Sequence, residues 1–460
     1  MRFFQHYLRL PILLLAVAEW LAFLVSPSIS ALLFPGFGGW RPSLVDTAHA
    51  VGYASILLVT MVSMGLYHGR LRATLIGVLG RAAVAMSAGA GAAALMLFLV
   101  PSLSLGRGIL AGSVLVSFIL VAIARTVFER VVDESIFKRR VLVVGAGRMA
   151  MTISQLRRRT DTRGFYVTGF VPMDGETAAV PEARLVRPAG TLYELCEEDD
   201  VDEIVVALDD RRRGFPVHDL LDCRIHGVEV VDLVDFLERE TGKVRLDVLN
   251  PSWIIFAPGF SHSLWRRVTK AVFDVVASLA LLALTWPIML LAMAAIKLED
   301  GWRAPVFYRQ ERVGLDGRTF FVLKFRSMRV DAERDGAQWA SAGDSRVTRF
   351  GSFARMTRVD ELPQILNVLR QDMSFVGPRP ERPQFVAAFE EKIPYFKERQ
   401  CVRPGITGWA QLCYPYGASE QDAVEKLQYD LYYVKNHGLL FDVLILLQTV
   451  EVVLWGKGGR

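Results

Sequence analysis

"VFDVVASLALLALTWPIMLLAMAAI", residues Val272–Ile296, decides what kind of protein this chain is. A helix needs about 20 apolar residues to cross the hydrocarbon core of a bilayer, and this stretch supplies them. A crossing here would place everything after it on the far side. The flanks argue otherwise. Arg266, Arg267 and Lys270 precede the stretch, and Lys297 and Arg303 follow it, so no charge asymmetry drives translocation. Pro287 removes a helical hydrogen bond and kinks the axis, while Thr285 is placed to satisfy a freed carbonyl. The stretch reads as a re-entrant helix–break–helix hinged at Thr285 and Pro287. A crossing or plainly buried helix is the alternative.

Upstream, four further apolar stretches cover Leu10–Leu33, Ala48–Tyr67, Ala82–Val100 and Ile109–Phe128. Each matches one membrane span. The first lacks the small-residue cleavage site of a signal peptide and is expected to be retained. It carries Glu19 in mid-span, where an ionisable side chain must face the bundle interior and a structural pairing is the expected role. Basic residues set the orientation. Arg2 and Arg9 precede the first span, Arg70, Arg72 and Arg81 lie between the second and third, and Arg125, Arg130, Lys138, Arg139 and Arg140 end or follow the fourth. The other two loops hold only Arg41 and Arg107. The N-terminus, the middle loop and everything after Phe128 are placed in the cytoplasm.

Composition agrees. Of 460 residues 52% are hydrophobic, and mean hydropathy is +0.30. A net charge of +5 then speaks for cytoplasmic loops and anionic lipid contact rather than nucleic-acid binding. Cys196, Cys223, Cys401 and Cys413 show no metal-ligand spacing, so reduced thiols and no structural zinc are expected.

Between the spans and Val272, "RRVLVVGAGRMAMTISQL" (Arg139–Leu156) reads as strand, glycine turn and helix, a GxGxxA fingerprint. Further strands are expected at Tyr166–Val171, Glu203–Leu208 and Val228–Val231, giving an α/β domain. The acidic residue that would bind a ribose about 20 residues on is missing; Asp174 comes late, in a turn. The expectation is a Rossmann-like module with no cofactor bound.

From Pro305 onward the chain is polar and dense in motifs. A β-hairpin turning at Asp316–Gly317 leads to Lys324, Arg326 and Arg329. Arg346, Arg349, Arg355, Arg358, Arg379, Arg382 and Arg403 follow, many beside Gly or Pro. Guanidinium forks match phosphate oxygens, and stiff turns fix them in place. Among them stand adjacent carboxylates, Asp360 and Glu361, followed by Pro363 and a short apolar helix. A solvated salt-bridge cluster is one reading. The other is a phosphate-handling site, in which one carboxylate attacks phosphorus and its neighbour holds Mg²⁺.

The stretches "VFYRQERVGLDG", "KFRSM", "RVDELPQILNVL", "DMSFVGPRP", "RPGITGWAQ" and "YDLYYVKN" resemble the bacterial sugar transferase family, the polyprenyl-phosphate hexose- or N-acetylhexosamine-1-phosphate transferases. The resemblance runs from about Arg266 to the C-terminus. Four spans and a Rossmann-like domain before it resemble the long, exopolysaccharide-initiating form.

The resemblance implies an α/β membrane protein with a four-helix transmembrane bundle (1–135), a Rossmann-like domain (136–245), a linker (246–270), a re-entrant helix (271–298) and a monotopic α/β catalytic domain (299–460). It implies Asp360 as nucleophile, Glu361 as Mg²⁺ ligand and Arg379 as a phosphate-binding arginine. Lys324, Arg326 and Arg403 are the next phosphate-binding candidates. The family's hinge is often Ser-Pro; here it reads Thr285-Trp286-Pro287. The substrates implied are a UDP-sugar and undecaprenyl phosphate, at the cytoplasmic face of the bacterial inner membrane. Glucose or galactose leads by analogy, with N-acetylated sugars next. A membrane-associated homodimer goes with the long form.

Two rivals differ in class. A membrane-bound nucleotide-sugar dehydratase or epimerase would need a working dinucleotide site and usually Tyr-x-x-x-Lys, and none of the 12 tyrosines has Lys four residues later. A non-enzymatic scaffold of a polysaccharide complex would not need the Asp–Glu and arginine constellation.

Overall fold

The computed structural model describes residues 2–3, 6–7, 10–34, 44–64, 66–67, 75–99, 107–131, 138–156, 159–162, 164–173, 175–211, 215–249, 251–257, 259–260, 263–329, 346–414, 417 and 419–454. Arg9, Arg41, Arg70, Arg72, Val100 and Asp174 lie outside the described residues. The chain divides into two units, Tyr7–Trp253 and Ile254–Arg460.

The first unit begins with four helices: α1 (Leu10–Leu33), α2 (Leu44–Ser63), α3 (Leu75–Leu99) and α4 (Arg107–Val131). Among the described residues, stretches of α1, α3 and α4 are long and apolar enough to cross a membrane, while the corresponding part of α2, Thr47–Ser63, is shorter. Phe23, Leu57, Met61, Ala85, Met86 and Val121 form the bundle's core. Leu14, Val25, Val59, Leu115 and Ile123 face outward, as lipid-facing residues do.

Helices in a bilayer gain little from apolar contact with one another, so small and polar residues hold them together. Ser117 Oγ donates to Ser26 Oγ at 2.8 Å and lies 3.1 Å from Tyr53 Oη. Glu19 is fully buried. Arg125 Nε lies 2.6 Å from its Oε1, Arg125 Nη2 donates to Oε2 at 3.0 Å, and Tyr67 donates to the same oxygen at 2.5 Å. The structural pairing expected of Glu19 is present. Arg125, however, is not a loop charge: it turns into the bundle, and the orientation argument stands without it.

The same unit carries a four-stranded parallel sheet of β1 (Arg139–Val144), β2 (Phe165–Val171), β3 (Glu203–Val206) and β4 (Glu229–Asp232) in the order β2-β1-β3-β4. Helix α5 (Arg148–Ser154) follows β1, α6 (Leu192–Glu198) follows β2, and α7 (Val217–Ile225) follows β3. The central strands are buried on both faces, which is why they read as unbroken Val/Leu/Ile runs. Val141 and Val143 face one core and Leu142 and Val144 the other.

The second unit opens with α8 (Leu264–Asp300), 37 residues long. The expected break at Pro287 is not a break in the helix: the helical pattern runs through it. Proline there costs one helical hydrogen bond and crowds the carbonyl four residues earlier, but the helical assignment is continuous. Thr285 Oγ1 donates to Leu281 O at 2.7 Å, not to the Ala283 carbonyl that Pro287 leaves without a donor. Then come the antiparallel hairpin β5 (Phe307–Val313) and β6 (Thr319–Phe325), α9 (Arg349–Met356), α10 (Gln364–Leu369), β7 (Ser374–Val376) paired parallel to β8 (Gly405–Thr407), α11 (Glu420–Asn436) and α12 (Leu439–Leu454). The hairpin turns at Asp316 and Gly317, both at positive φ, as its sequence predicts.

Both ends of α8 are tied to this unit. Near its start, Lys270 Nζ reaches Val376 O at 3.0 Å and Asp442 Oδ2 at 2.5 Å, and Asp274 Oδ1 accepts from Ser374 Oγ and Phe375 N. Near its end, Glu299 accepts from Arg349 N at 2.7 Å and Phe350 N at 2.9 Å, capping α9. Between them Met289, Ala292 and Ile296 pack on Phe325, with Val359 and Leu362 alongside. Leu279, Leu284, Trp286, Leu291 and Leu298 remain exposed.

Candidate active site

The dyad sits where α9 gives way to α10. Arg358, at φ 61° and ψ 15°, turns the chain in the left-handed region, and Val359–Glu361 form a single 3₁₀ turn. Leu362 and Val359 pin that turn to Ile296 and Phe325. Pro363 then starts α10 with φ already near its helical value. The local sequence thus makes a tight, apolar-anchored corner with two carboxylates on it.

Their environments differ. Asp360 is buried, and its Oδ1 has no hydrogen-bond partner among the described residues. Burial and the neighbouring Glu361 charge push its carboxyl up to about 6, against the pull of Lys324, Arg355 and Arg358. Glu361 is held the other way. Burial alone would raise it, but Lys324, Arg379 and Arg358 bring it down to about 2. Lys324 Nζ lies 2.9 Å and Arg358 Nη1 3.7 Å from Glu361 Oε1. One site therefore holds a fixed anion beside a carboxylate close to its protonation point, a division of roles seen where two carboxylates work together.

Lys324 reaches the dyad because β6 is clamped to α10. Asn367 Oδ1 accepts from Leu323 N at 3.0 Å, and its Nδ2 donates to Phe321 O at 2.8 Å. Arg355 Nε is held by Ser327 Oγ at 3.0 Å. Arg379 lies in the turn after β7. Gly377 N donates to Thr407 O and Gly405 N to Pro378 O, a crossing so close that a Cβ on Gly405 would fall 2.1 Å from Gly377 N. Arg399, paired with buried Asp430 at 2.8 Å, donates to Arg379 O at 2.9 Å.

Of the candidates read from the sequence, the structure gathers Asp360, Glu361, Lys324 and Arg379. Arg326 donates to Pro305 O at 2.9 Å, and Arg403 reaches Gln371 Oε1 at 2.5 Å; neither is tied to the dyad by a described bond. Three arginines join the site that were not among the phosphate-binding candidates, although Arg355 and Arg358 stood among the recurring arginines. Arg358 was legible from its i,i+3 spacing to Glu361, and Arg355 from its place on the preceding helical turn. Arg312 was not, because it arrives from the hairpin. Burial draws it down to about 10 against Glu381, and Arg379 and Arg382 add to the same positive field. Such a field suits a diphosphate.

Among the described residues no three His, Cys, Asp or Glu side chains cluster to cage a metal. Mg²⁺ does not need such a cage: it takes one or two carboxylates and completes its shell with substrate phosphates and water. The dyad fits that demand.

Comparison with known proteins agrees with this geometry. The family model described as "Bacterial sugar transferase" matches residues 265–456. The UDP-glucose:undecaprenyl-phosphate glucose-1-phosphate transferase of Xanthomonas campestris pv. campestris is 33% identical over 452 residues, which cover 92% of this chain and 89% of that protein. The protein of the same description from Escherichia coli (strain K12) is 33% identical over 68% of this chain and 67% of its own length. The UDP-N-acetylgalactosamine-undecaprenyl-phosphate N-acetylgalactosaminephosphotransferase of Aeromonas hydrophila is 40% identical over 261 residues, 56% of this chain and 60% of that protein. A relative 33% identical over 92% of this chain and a family model over residues 265–456 leave one placement: the chain belongs to the bacterial sugar transferase family.

Proposed function

We propose that this protein transfers a sugar-1-phosphate from a UDP-sugar to undecaprenyl phosphate, releasing UMP, as the first membrane step of exopolysaccharide synthesis. The observation that carries the reading is the buried, unpartnered Oδ1 of Asp360 beside a Glu361 clamped by Lys324 and Arg358. An oxygen without a partner at that place is an oxygen available to phosphorus.

In the first half-reaction an Asp360 carboxylate oxygen forms a bond to the sugar-side phosphorus. The bond from that phosphorus to the bridging oxygen breaks, and its electron pair leaves with UMP. In the second, an oxygen of the lipid phosphate attacks the same phosphorus and the Asp360 carboxylate departs. The products are UMP and a lipid diphosphosugar. Glu361 would hold Mg²⁺ against the diphosphate, supplying charge neutralisation there. Lys324 keeps Glu361 ionised, Arg358 shapes the corner, and Arg379 with Arg312 offers donors to phosphate oxygens.

The membrane arrangement follows from α8. A straight helix of this length would span about 55 Å, well beyond a hydrocarbon core of about 30 Å. Its two ends are bonded to one folded unit, so both belong on one side of the membrane. The catalytic unit then sits on the cytoplasmic face of the inner membrane, where a soluble UDP-sugar and a bilayer-bound acceptor meet. The N-terminal bundle adds the spanning anchor.

The test is UMP release from a panel of UDP-sugars with undecaprenyl phosphate and Mg²⁺. With lipid withheld, a sugar-phosphate mass adduct should appear on the peptide containing Asp360 and be absent in Asp360→Asn. An ordered mechanism, with both substrates bound before any UMP leaves and no adduct trapped, would replace the covalent step with direct attack by the lipid phosphate.

A further inference from the structure

In an open, doubly wound sheet, ligands bind beyond the carboxyl ends of the strands, at the point where strand order reverses. In the order β2-β1-β3-β4 that point lies between β1 and β3. The Gly145–Gly147 turn is there, with Gly145 at φ 116° and its backbone close against Ala207 O. In a dinucleotide-binding domain, the backbone N–H groups of this turn receive the pyrophosphate.

Here the amides of Ala146, Arg148 and Met149 are already engaged. Glu176, from the segment after β2, accepts from Ala146 N at 2.8 Å. Asp209, just beyond β3, accepts from Met149 N at 2.7 Å and Arg148 N at 3.0 Å. The Asp209 N–H in turn lies 3.4 Å from Glu176 Oε1. A Cβ on Gly147 would fall 2.5 Å from Asp209 Oδ2 and 2.6 Å from Glu176 Oε1. The space that this glycine would leave for a phosphate is therefore filled by two carboxylates.

We propose that Glu176 and Asp209 are built-in occupants of the phosphate seat, closing this domain to dinucleotides and nucleoside diphosphates. The amides of Ala146, Arg148 and Met149 are used, and two carboxylates stand where the phosphates would go. The same bonds clasp the segments after β1, β2 and β3 into one unit. The Gly-Ala-Gly turn thus serves a carboxylate clasp rather than a cofactor, a cause separate from the missing ribose-binding acid.

The full chain in detergent should show no saturable binding of NADH or ADP at ligand concentrations on the order of millimolar. In Asp209→Ala, the amides of Arg148 and Met149 should exchange hydrogen at least about tenfold faster, since each loses its acceptor. Asp209→Asn keeps one acceptor oxygen, so one of the two amides should lose protection even if the alanine variant fails to fold. Stoichiometric NADH or ADP binding by the unaltered protein would overturn the proposal. So would unchanged exchange at both amides in either variant.

Discussion

Lys324 Nζ lies 2.9 Å from Glu361 Oε1, and this pair joins burial in setting the two carboxylates apart. The lysine holds Glu361 down near 2, and the anion so fixed helps to lift Asp360 to about 6.

A pH dependence follows. In the proposed reaction Asp360 attacks as its anion, so initial rates of UMP release should fall as pH drops through about 6. Arg355 is one of the charges pulling Asp360 down. Arg355→Leu should move the acid limb to higher pH. A limb that stays in place in this variant would detach it from Asp360.

The buried charge also has a cost in stability. A carboxylate raised from 3.8 to about 6 disfavours the folded state increasingly as pH rises from 3.8 through about 6, by up to about 3 kcal/mol above it. Asp360→Asn should therefore be inactive yet melt at a higher temperature than the unaltered protein at pH about 7.5. The difference should shrink as pH falls through about 6 and disappear below the ordinary carboxylate value. Thermal melts at several pH values check this, and a variant less stable at every pH would contradict it.

Glu361→Gln removes the anion that Lys324 and Arg358 hold, together with the proposed Mg²⁺ ligand. Losses in kcat of order 10²–10³ are typical when one such electrostatic contact goes, and about that much is expected here. Raising Mg²⁺ should not restore the rate.

Asn367→Leu should release β6 from α10. It leaves the buried Leu323 N–H without an acceptor, at a cost of about 1–3 kcal/mol. Lys324, one residue on, should then lose its place, so the melting temperature and kcat should fall together. A loss of stability with full activity would show that Lys324 is positioned by other means.

Cysteines engineered near Arg266 and Arg303 should be labelled from the same side of the membrane, because Lys270 and Glu299 bind the same unit. Labelling from opposite sides would refute the placement of α8.

Much of this was legible because the chemistry lies close in sequence. Adjacent carboxylates, a proline-locked arginine and a glycine turn are local signals, and the strands of the sheet showed as apolar runs. The misses share a cause. Asn367, Arg312 and Asp209 act on residues far along the chain, and no spacing predicts such partners. Arg125 was misread for the same reason: counted as a loop charge, it answers to Glu19, 106 residues earlier. Pro287 was expected to kink and break the helix, but the helical pattern runs through it, and Met289, Ala292 and Ile296 beyond it pack on the folded unit.

The Glu19–Arg125 pair ties the fate of the first span to that of the fourth. During synthesis, α1 enters the bilayer carrying a carboxylate whose counterion has not yet been made. Until α4 arrives, Glu19 has no guanidinium to pair with. The pair thus acts as a completion check on the bundle: three spans leave an orphan acid in oil, and the fourth cancels it. Losing either partner should harm assembly more than losing both, since an unmatched charge is worse in lipid than none.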